Sequence, residues 1–273
     1  VLFDLKEIVK LDSLDPISHY NIAEVYFQLL KGKKYDIKYP SLVTYHLKKS
    51  IDLDAQNKEA HSLLGEMLLA YNKNKEAVHA FNSSLNVDYN QEKTHMLMGY
   101  AFRQLKQYDN AIDCFRNSIN INPNYFEAHI QLGNIFHFLA DTTALIYYNN
   151  ALELNPNDEM TLYNIALFYQ SMSDWDNALD SYSALHKVSP FHSSGHYNLG
   201  YVNMQLGLYN QASNNFSDAI YSNSNFYEAY YSRGNCFEIL GNMAQAESDY
   251  KRAIEINPEY IYAIESLEML TKK

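Results

Sequence analysis

The stretch HMLMGYAFRQLKQYDNAIDCFRNSININP, from His95 to Pro123, decides the fold. Its first part carries apolar residues around the small residue Gly99, and its second part carries Ala111 four residues before Phe115. Apolar residues three and four positions apart lie on one face of a helix. Pro123 follows an asparagine at the point where proline ends a helix and starts a turn. The stretch therefore predicts two amphipathic helices joined by a short turn.

The same pattern recurs along most of the chain. The slot of Gly99 recurs at equal intervals along the sequence, except for one interval that is a residue shorter. Its occupants are Gly65, Gly99, Gly133, Ala166, Gly200 and Gly234. A fixed period of this length is the signature of stacked helical or strand repeats, each of which buries its apolar face against its neighbours. The helical periodicity within each copy favours a helical repeat.

In the phase of its small and aromatic residues, this pattern resembles the tetratricopeptide repeat over almost the whole chain. The resemblance implies an all-α fold. The expected architecture is an α-solenoid, a right-handed superhelix of about seven helix-turn-helix repeats with a C-terminal capping helix. It also implies that first helices line a concave groove and that second helices form the outer wall. Within a repeat, we expect the small residue to lie where the second helix crosses the first.

The period also predicts the limits of each unit. The expected units are the second helix of a truncated repeat at 1–14, a repeat at 15–57 with an inserted loop at 31–40, repeats at 58–91, 92–125, 126–158, 159–192, 193–226 and 227–260, and a capping helix at 261–273. Because 1–14 has the phase of a second helix, we expect further residues before Val1 in the full protein. The four-lysine loop at 31–40 is interpreted as a solvated insertion, with docking of an anionic group as the alternative.

One repeat, 126–158, is a residue shorter than the others, and we expect Asp141 and Thr142 to close its turn more tightly.

Composition excludes several classes of function. The chain has 273 residues, of which 47% are hydrophobic and 19% charged. No apolar run in it approaches the length that a membrane-spanning helix needs. The formal net charge of −11 argues against a nucleic-acid partner, which would require clustered basic residues. The two cysteines, Cys114 and Cys236, lie about four repeats apart, so we expect free thiols.

Five histidines share one slot, four residues before the small residue. They are His19, His61, His95, His129 and His196. Rings on successive repeats lie about 10 Å apart, whereas nitrogen ligands bind zinc at about 2.1 Å, so packing is the favoured role. The sequence also lacks a zinc-protease motif, a glycine-rich phosphate loop and a nucleophile elbow. We therefore predict no metal, no cofactor and no enzymatic activity.

The predicted inner face carries the candidate binding residues. The slots three before, one after and four after the small residue share one helical face, and in the later repeats that face is rich in tyrosine and nearly uncharged. Tyrosine gives rigid contact area with a polar tip, which binding surfaces favour. The predicted partner-binding residues are Arg103, Asn134, His137, Tyr163, Asn164, Tyr197, Asn198, Tyr201, Tyr231 and Asn235.

Two of these residues are assigned by the resemblance. Asn164 and Asn198 occupy the slot from which peptide-binding members of the family hold the backbone of an extended peptide, because an amide can donate and accept at once. Arg103 is the only cation in the inner slots, so capture of an acidic chaperone tail is disfavoured.

These observations predict a non-enzymatic scaffold that binds a peptide or helical segment of a partner protein in its concave groove. Two alternatives stay open: a substrate-recruiting region of a larger enzyme such as a glycosyltransferase, and a scaffold that self-assembles into homo-oligomers. The repeat at 227–260 also looks like repeat proteins of bacterial envelopes. Localisation is therefore open between the cytoplasm and, if a signal or lipoprotein segment precedes Val1, the bacterial periplasm or envelope.

Overall fold

A computed structural model describes residues 14–31 and 39–272. The predicted helix at 1–14 lies outside these residues except for Leu14. Of the predicted loop at 31–40 the structure describes Lys31, Tyr39 and Pro40, and all three belong to helices, so the loop limits were too wide. The described residues form fifteen α-helices and no strand. In order they are α1 Pro16–Lys31, α2 Tyr39–Leu53, α3 Lys58–Ala70, α4 Asn74–Val87, α5 Glu92–Gln104, α6 Tyr108–Ile121, α7 Phe126–Phe138, α8 Thr143–Leu154, α9 Glu159–Ser171, α10 Trp175–Val188, α11 Ser193–Gln205, α12 Tyr209–Ser222, α13 Tyr227–Ile239, α14 Met243–Ile256 and α15 Ile261–Thr271.

Neighbouring helices pack in sequence order, which confirms the predicted all-α solenoid. The chain divides into two compact units, Val1–Ile135 and Phe136–Lys273. The first unit holds α1 to α6 and most of α7, and the second holds α8 to α15. None of the helices within 14–31 and 39–272 combines the length and the hydropathy that crossing a membrane requires.

The small slot is where the two helices of a repeat touch. A β-carbon added to Gly65 would lie 2.5 Å from the ring of Phe81, and one added to Gly200 would lie 2.7 Å from the ring of Phe216. Both rings are fully buried. The predicted crossing at the small residue is therefore confirmed in these repeats.

In the six repeats between residues 58 and 260, the turn within the repeat contains one residue in the left-handed region of backbone space. These residues, seven positions after the small slot, are Asn72, Lys106, Ala140, Ser173, Gly207 and Gly241, with φ between +53° and +81°. Each follows the C-terminus of a first helix, a position that glycine favours because it has no β-carbon. Four of the six turns therefore hold a residue type that is strained there.

We expect opposite effects from exchanging the residues of two such turns. Ala140→Gly removes the strain of an exposed alanine at φ 53°, whereas Gly207→Ala introduces it where nothing lies within 4 Å of the new β-carbon. The free energy of unfolding should rise by about 1 kcal/mol in the first variant and fall by about 1 kcal/mol in the second. Urea denaturation measures both, and shifts of the same sign would contradict this explanation.

The short repeat closes its turn with a tighter hydrogen-bond pattern. The amide of Ala144 donates to the carbonyl of Asp141 at 3.0 Å, and that of Leu145 donates to the carbonyl of Thr142 at 3.1 Å, both across three residues. At the same place in the preceding repeat, Ala111 donates across four residues. A three-residue bond is the tighter 3₁₀ form, so the missing residue is absorbed at the start of α8 as predicted.

Four histidines of the predicted slot bind the turn that precedes their own helix. Their Nε2 atoms lie 2.8 to 3.1 Å from the carbonyl oxygen six residues earlier, in the pairs His61–Ala55, His95–Tyr89, His129–Pro123 and His196–Pro190. Since a carbonyl only accepts, Nε2 carries the proton. The packing role is confirmed for these four, whereas His19 instead lies 2.9 Å from His46, Nδ1 to Nδ1.

Burial makes one of these histidines sensitive to pH. His95 is 1% exposed, and burial lowers its pKa although the bond to Tyr89 opposes the shift. Its Nδ1 is buried and has no partner among the described residues. The stability that depends on the neutral His95 ring should therefore be fully present above about pH 6.5, the pKa of histidine in the unfolded chain. It should fall at lower pH as the unfolded state takes up the proton. Between pH 6.5 and 5, His95→Gln should show a smaller pH dependence of its melting temperature than the wild type; an identical dependence would contradict this.

Candidate functional site

Four predicted binding tyrosines lie on consecutive first helices of the second unit. Tyr163 is on α9, Tyr197 and Tyr201 are on α11, and Tyr231 is on α13. We call these four residues the tyrosine face. Tyr201 is 37% exposed and the other three are half-buried. The face therefore leaves part of each tyrosine side chain open to solvent.

Three rings of the tyrosine face pack against an aromatic residue at the start of the next first helix. The ring-centroid distances are 4.9 Å for Tyr163–His192, 4.9 Å for Tyr197–Phe226 and 5.4 Å for Tyr231–Tyr260. Each pair joins a first helix to the residue that caps the N-terminus of a later helix, α11, α13 or α15. These tyrosines thus stabilise the stack as well as forming its surface, and this packing fixes their rings in place.

The predicted amides hold tyrosine hydroxyls. The Nδ2 of Asn198 donates to the hydroxyl of Tyr163 at 3.0 Å, and Oδ1 of Asn235 lies 2.8 Å from the hydroxyl oxygen of Tyr250. Asn164 is half-buried beside Tyr163 on α9. The structure therefore gives Asn198 and Asn235 a positioning role within the chain, while a contact of Asn164 and Asn198 with a peptide backbone stays a prediction.

Tyrosines on second helices contribute hydroxyl groups that the pattern of the inner slots did not predict. Where the second helix presents a tyrosine to the small slot, the residue four after the small slot is a histidine, glutamine or glutamate, which can accept a hydrogen bond. The hydroxyl of Tyr182 donates to Oε1 of Gln170 at 2.6 Å, and that of Tyr250 donates to Oε2 of Glu238 at 2.8 Å. Burial raises the pKa of both hydroxyls, so they stay protonated and donate. A signal was present in the sequence, because repeats with phenylalanine there have Leu69, Arg103 or Met204 at the partner position.

This pairing predicts the outcome of transferring the hydroxyl to another repeat. Phe216→Tyr would place a hydroxyl at the position facing Met204, with no matching acceptor there. We expect the free energy of unfolding to fall by about 1–3 kcal/mol. Adding Met204→Gln, which reproduces the Tyr182–Gln170 pair, should recover part of that loss. Equal stability of the single and double variants in urea denaturation would contradict the pairing.

Arg103, Asn134 and His137 are not all in one unit. Arg103 and Asn134 belong to Val1–Ile135, where a guanidinium nitrogen of Arg103 donates to Oε1 of Gln131. His137 belongs to the second unit, and its ring lies 5.3 Å from that of Phe168. Burial lowers the pKa of His137, which favours the neutral ring.

Arg103 is the only cation in the predicted inner slots, but two lysines from other slots reach the same face. Lys31 on α1 and Lys93 on α5 both reach Glu66 on α3, at 2.6 and 3.0 Å. The three side chains line a cavity of about 350 Å³. Burial by itself would raise the pKa of Glu66, but the hydrogen bonds from both lysines lower it overall. Lys31 and Lys93 reach this face from slots outside the predicted stripe because their side chains are long and flexible. Both ammonium groups are engaged by a carboxylate of the same chain.

Residues 14–31 and 39–272 contain no group of three or more histidine, cysteine or acidic side chains placed to hold a metal ion. Cys114 and Cys236 are buried free thiols, and burial raises the pKa of each to about 12. The predicted absence of a disulfide between these two residues is confirmed. Both thiols pack as small apolar groups and stay unreactive at neutral pH.

Three segments match repeat-family models. Residues 99–138 match the model described as TPR repeat, and residues 193–226 and 227–260 match models described as tetratricopeptide repeat. No curated protein matches the chain.

Solved structures share the fold over most of the chain. The C-terminal part of a TPR repeat-containing protein from Cytophaga hutchinsonii has a TM-score of 0.78 at 13% identity, covering 90% of this chain and 99% of that one. A tetratricopeptide repeat protein from Parabacteroides merdae has a TM-score of 0.61 at 15% identity, covering 93% and 99%. YrrB, described as a TPR protein with an unusual peptide-binding site, has a TM-score of 0.50 at 18% identity, covering 81% and 97%. At these identities the likeness concerns the fold alone.

Proposed function

We propose, from the premise that this chain is a tetratricopeptide repeat protein, that it is a non-enzymatic scaffold for protein–protein interaction. Stacked helical repeats offer extended surfaces, and proteins built from them use those surfaces to bind other proteins. The tyrosine face is the surface of this chain best suited to the task. Its partner would be a peptide or helical segment of another protein.

The single observation that carries this proposal is the chemistry of α11. This helix bears Tyr197, Asn198 and Tyr201, and contains no aspartate, glutamate, lysine or arginine. It lies in a unit, Phe136–Lys273, whose sequence has 16 acidic and 6 basic residues. An uncharged strip of fixed rings and amides within an acidic unit is suited to ring stacking and hydrogen bonding rather than to ion pairing.

A peptide is also the ligand class named for YrrB, which shares the fold. That name supports the class of partner and says nothing about its sequence. The charge of the second unit adds one constraint, because an acidic segment would be repelled from it. We therefore expect a neutral or basic segment to occupy the tyrosine face.

Site-specific photo-crosslinking in native cells tests this proposal without substituting any of the three ring pairs described above. A photoreactive phenylalanine analogue at Tyr201, which is exposed on α11, should capture a partner protein. The matched control is the same analogue at Tyr221, which is 81% exposed on the second helix α12. Capture from position 201 and not from position 221 would support binding at the tyrosine face. Equal capture from both positions, or capture from 221 alone, would contradict it.

A second set of variants separates the tyrosine hydroxyls from the tyrosine rings. Tyr197→Phe and Tyr231→Phe keep the rings that pack against Phe226 and Tyr260, so the stack is expected to be retained. Combined with Tyr201→Ala, they should weaken the affinity for the partner identified by crosslinking by about tenfold, equivalent to about 1.4 kcal/mol. Unchanged affinity for the purified partner would show that it contacts another surface.

A further inference from the structure

An apolar groove lies on the second-helix side of the first unit, between α2 and α4 with α3 as its floor. Two adjoining cavities of about 440 and 510 Å³ form it, and they share Lys48 and Leu68 as lining residues. Ile51, Leu64 and Ala80 complete the apolar lining of the larger cavity. No part of the tyrosine face contributes to it, because the groove belongs wholly to Val1–Ile135.

The groove is open because Leu68 is smaller than the residue that other repeats have in the same slot. Three positions after the small residue, five repeats carry an aromatic side chain: Tyr26, Phe102, Phe136, Tyr169 and Phe237. Phe136, for example, is stacked on Tyr147 of the second helix at 5.6 Å. In the repeat of α3 and α4 the corresponding pair is Leu68 and Ala80. A leucine beside an alanine leaves unfilled the space that an aromatic ring occupies elsewhere.

One repeat of the second unit also lacks an aromatic residue in this slot. There the same two slots hold Asn203 and Asn215, and Nδ2 of Asn203 donates to Oδ1 of Asn215 at 2.9 Å. Both amides line a cavity of about 480 Å³ together with Gln211. Both junctions lack the aromatic residue and both contain a cavity, but the cavity at Asn203 is lined by four amide side chains in addition to its leucines, whereas the groove at Leu68 has no amide in its lining.

The rim of the apolar groove is basic in an acidic protein. Lys48, Lys73 and Lys75 line it, and all three side chains are exposed. Asp52 and Glu76 also line the larger cavity, which leaves an excess of one positive charge in a chain of net charge −11. None of the three lysines forms an ion pair with any residue in 14–31 or 39–272. They are therefore available to an anionic partner.

We propose that this groove binds an aromatic side chain on an acidic segment of a partner protein. The partner's ring fills the space beside Leu68 that other repeats fill from their own chain, and neighbouring carboxylates pair with the rim lysines. A buried aromatic anchor surrounded by polar contacts is the usual centre of a protein interface. The charge preference is opposite to that expected of the tyrosine face, so the two surfaces would select different segments.

Methyl NMR of the full chain tests the proposal with defined probes. The probes are three blocked pentapeptides, Glu-Glu-Phe-Glu-Glu, Glu-Glu-Ala-Glu-Glu and Lys-Lys-Phe-Lys-Lys. The acidic phenylalanine peptide should shift the methyl signals of Ile51, Leu64, Leu68 and Ala80. The other two peptides should bind at least about tenfold more weakly, one for lack of the ring and one through charge repulsion. Equal binding of all three peptides, or shifts outside this groove, would overturn the proposal.

A matched pair of filling variants locates the site. Leu68→Phe inserts the residue that the next repeat carries as Phe102 and should weaken binding of the acidic phenylalanine peptide at least about tenfold. Asn203→Phe fills the corresponding junction of the second unit and should leave this affinity unchanged. Circular dichroism of both variants establishes that they fold. Unchanged binding to a folded Leu68→Phe variant would refute the assignment.

The charge of the rim has its own test. Lys48→Glu with Lys75→Glu should reduce binding of the acidic phenylalanine peptide and abolish its decrease with added salt. The chain without peptide is measured at several concentrations in parallel. Shifts of the groove methyls with protein concentration alone would identify a second copy of this chain as the occupant and overturn the proposal of a separate partner.

Discussion

Asp249→Ala is expected to lower the free energy of unfolding by about 3–5 kcal/mol, because it leaves a half-buried guanidinium without its counter-charge. Asp249 on α14 is 4% exposed. Its Oδ2 accepts from Nε of Arg233 at 2.8 Å, and its Oδ1 accepts from Nη2 at 2.7 Å. Arg233 on α13 also donates from Nη1 to Ser217 on α12, at 3.0 Å. One ion pair therefore connects three consecutive helices.

The arginine cannot escape this loss by releasing its proton. A guanidinium does not lose its proton in proteins, so the charge remains in the variant. In the wild type, burial opposes the charge of Arg233 but the hydrogen bond to Asp249 raises its pKa overall, and the guanidinium also faces the rings of Tyr230 and Phe237 at 5.6 and 5.8 Å. Urea denaturation gives the total effect, and hydrogen exchange should show loss of protection in α12, α13 and α14. Arg233→Met with Asp249→Leu removes both charges and should be closer to the wild type than Asp249→Ala. A loss below about 1 kcal/mol in Asp249→Ala would mean that the pair behaves like an exposed one.

Gly99→Ala should destabilise the protein although alanine is the better helix former. Helix propensity alone favours alanine over glycine by about 1 kcal/mol. The new β-carbon, however, would lie 2.5 Å from Cε1 of Phe115, whose ring is fully buried. Overpacking of this kind lowers the free energy of unfolding by about 1–3 kcal/mol. Ala166 occupies the same slot in another repeat, so a methyl group is tolerated when the two helices are spaced for it.

The cause of this effect can be isolated with a double-mutant cycle. Phe115→Leu makes room beside residue 99 and is itself destabilising because it leaves a cavity. If the clash dominates, Gly99→Ala should be nearly neutral or stabilising in the Phe115→Leu background. Equal effects of Gly99→Ala in both backgrounds, measured by urea denaturation, would place the cause elsewhere.

The sequence was sufficient to predict the features that recur with the constant period of the chain. Gly99 and its equivalents fixed the helix pairs and their crossing point, and the histidine slot predicted packing because successive rings are too far apart to share a metal. The tightened turn at Asp141 followed from a count of residues. Each of these predictions depends on backbone spacing, which the period determines.

Contacts made by the ends of long side chains were not predicted. Lys31 and Lys93 converge on Glu66 from different repeats, and the direction of a β-carbon does not determine where a lysine ammonium lies. The ring contacts of the tyrosine face were missed for another reason. Their partners are at the N-terminal ends of helices, outside the predicted inner stripe. The sequence did contain a signal, because the residues of the pairs Tyr163–His192 and Tyr231–Tyr260 have the same separation along the chain.

The packing of Tyr231 on Tyr260 has a thermodynamic consequence for binding. Tyr260 immediately precedes α15, so the last tyrosine of the face is held by the helix that follows the seventh repeat. Fraying of α15 would release Tyr231 before any binding residue itself unfolds. A ligand on the tyrosine face would therefore be linked to the folded fraction of α15, and each would raise the population of the other. Any event that orders or disorders this eleven-residue helix would then change the affinity of a ligand bound at α13.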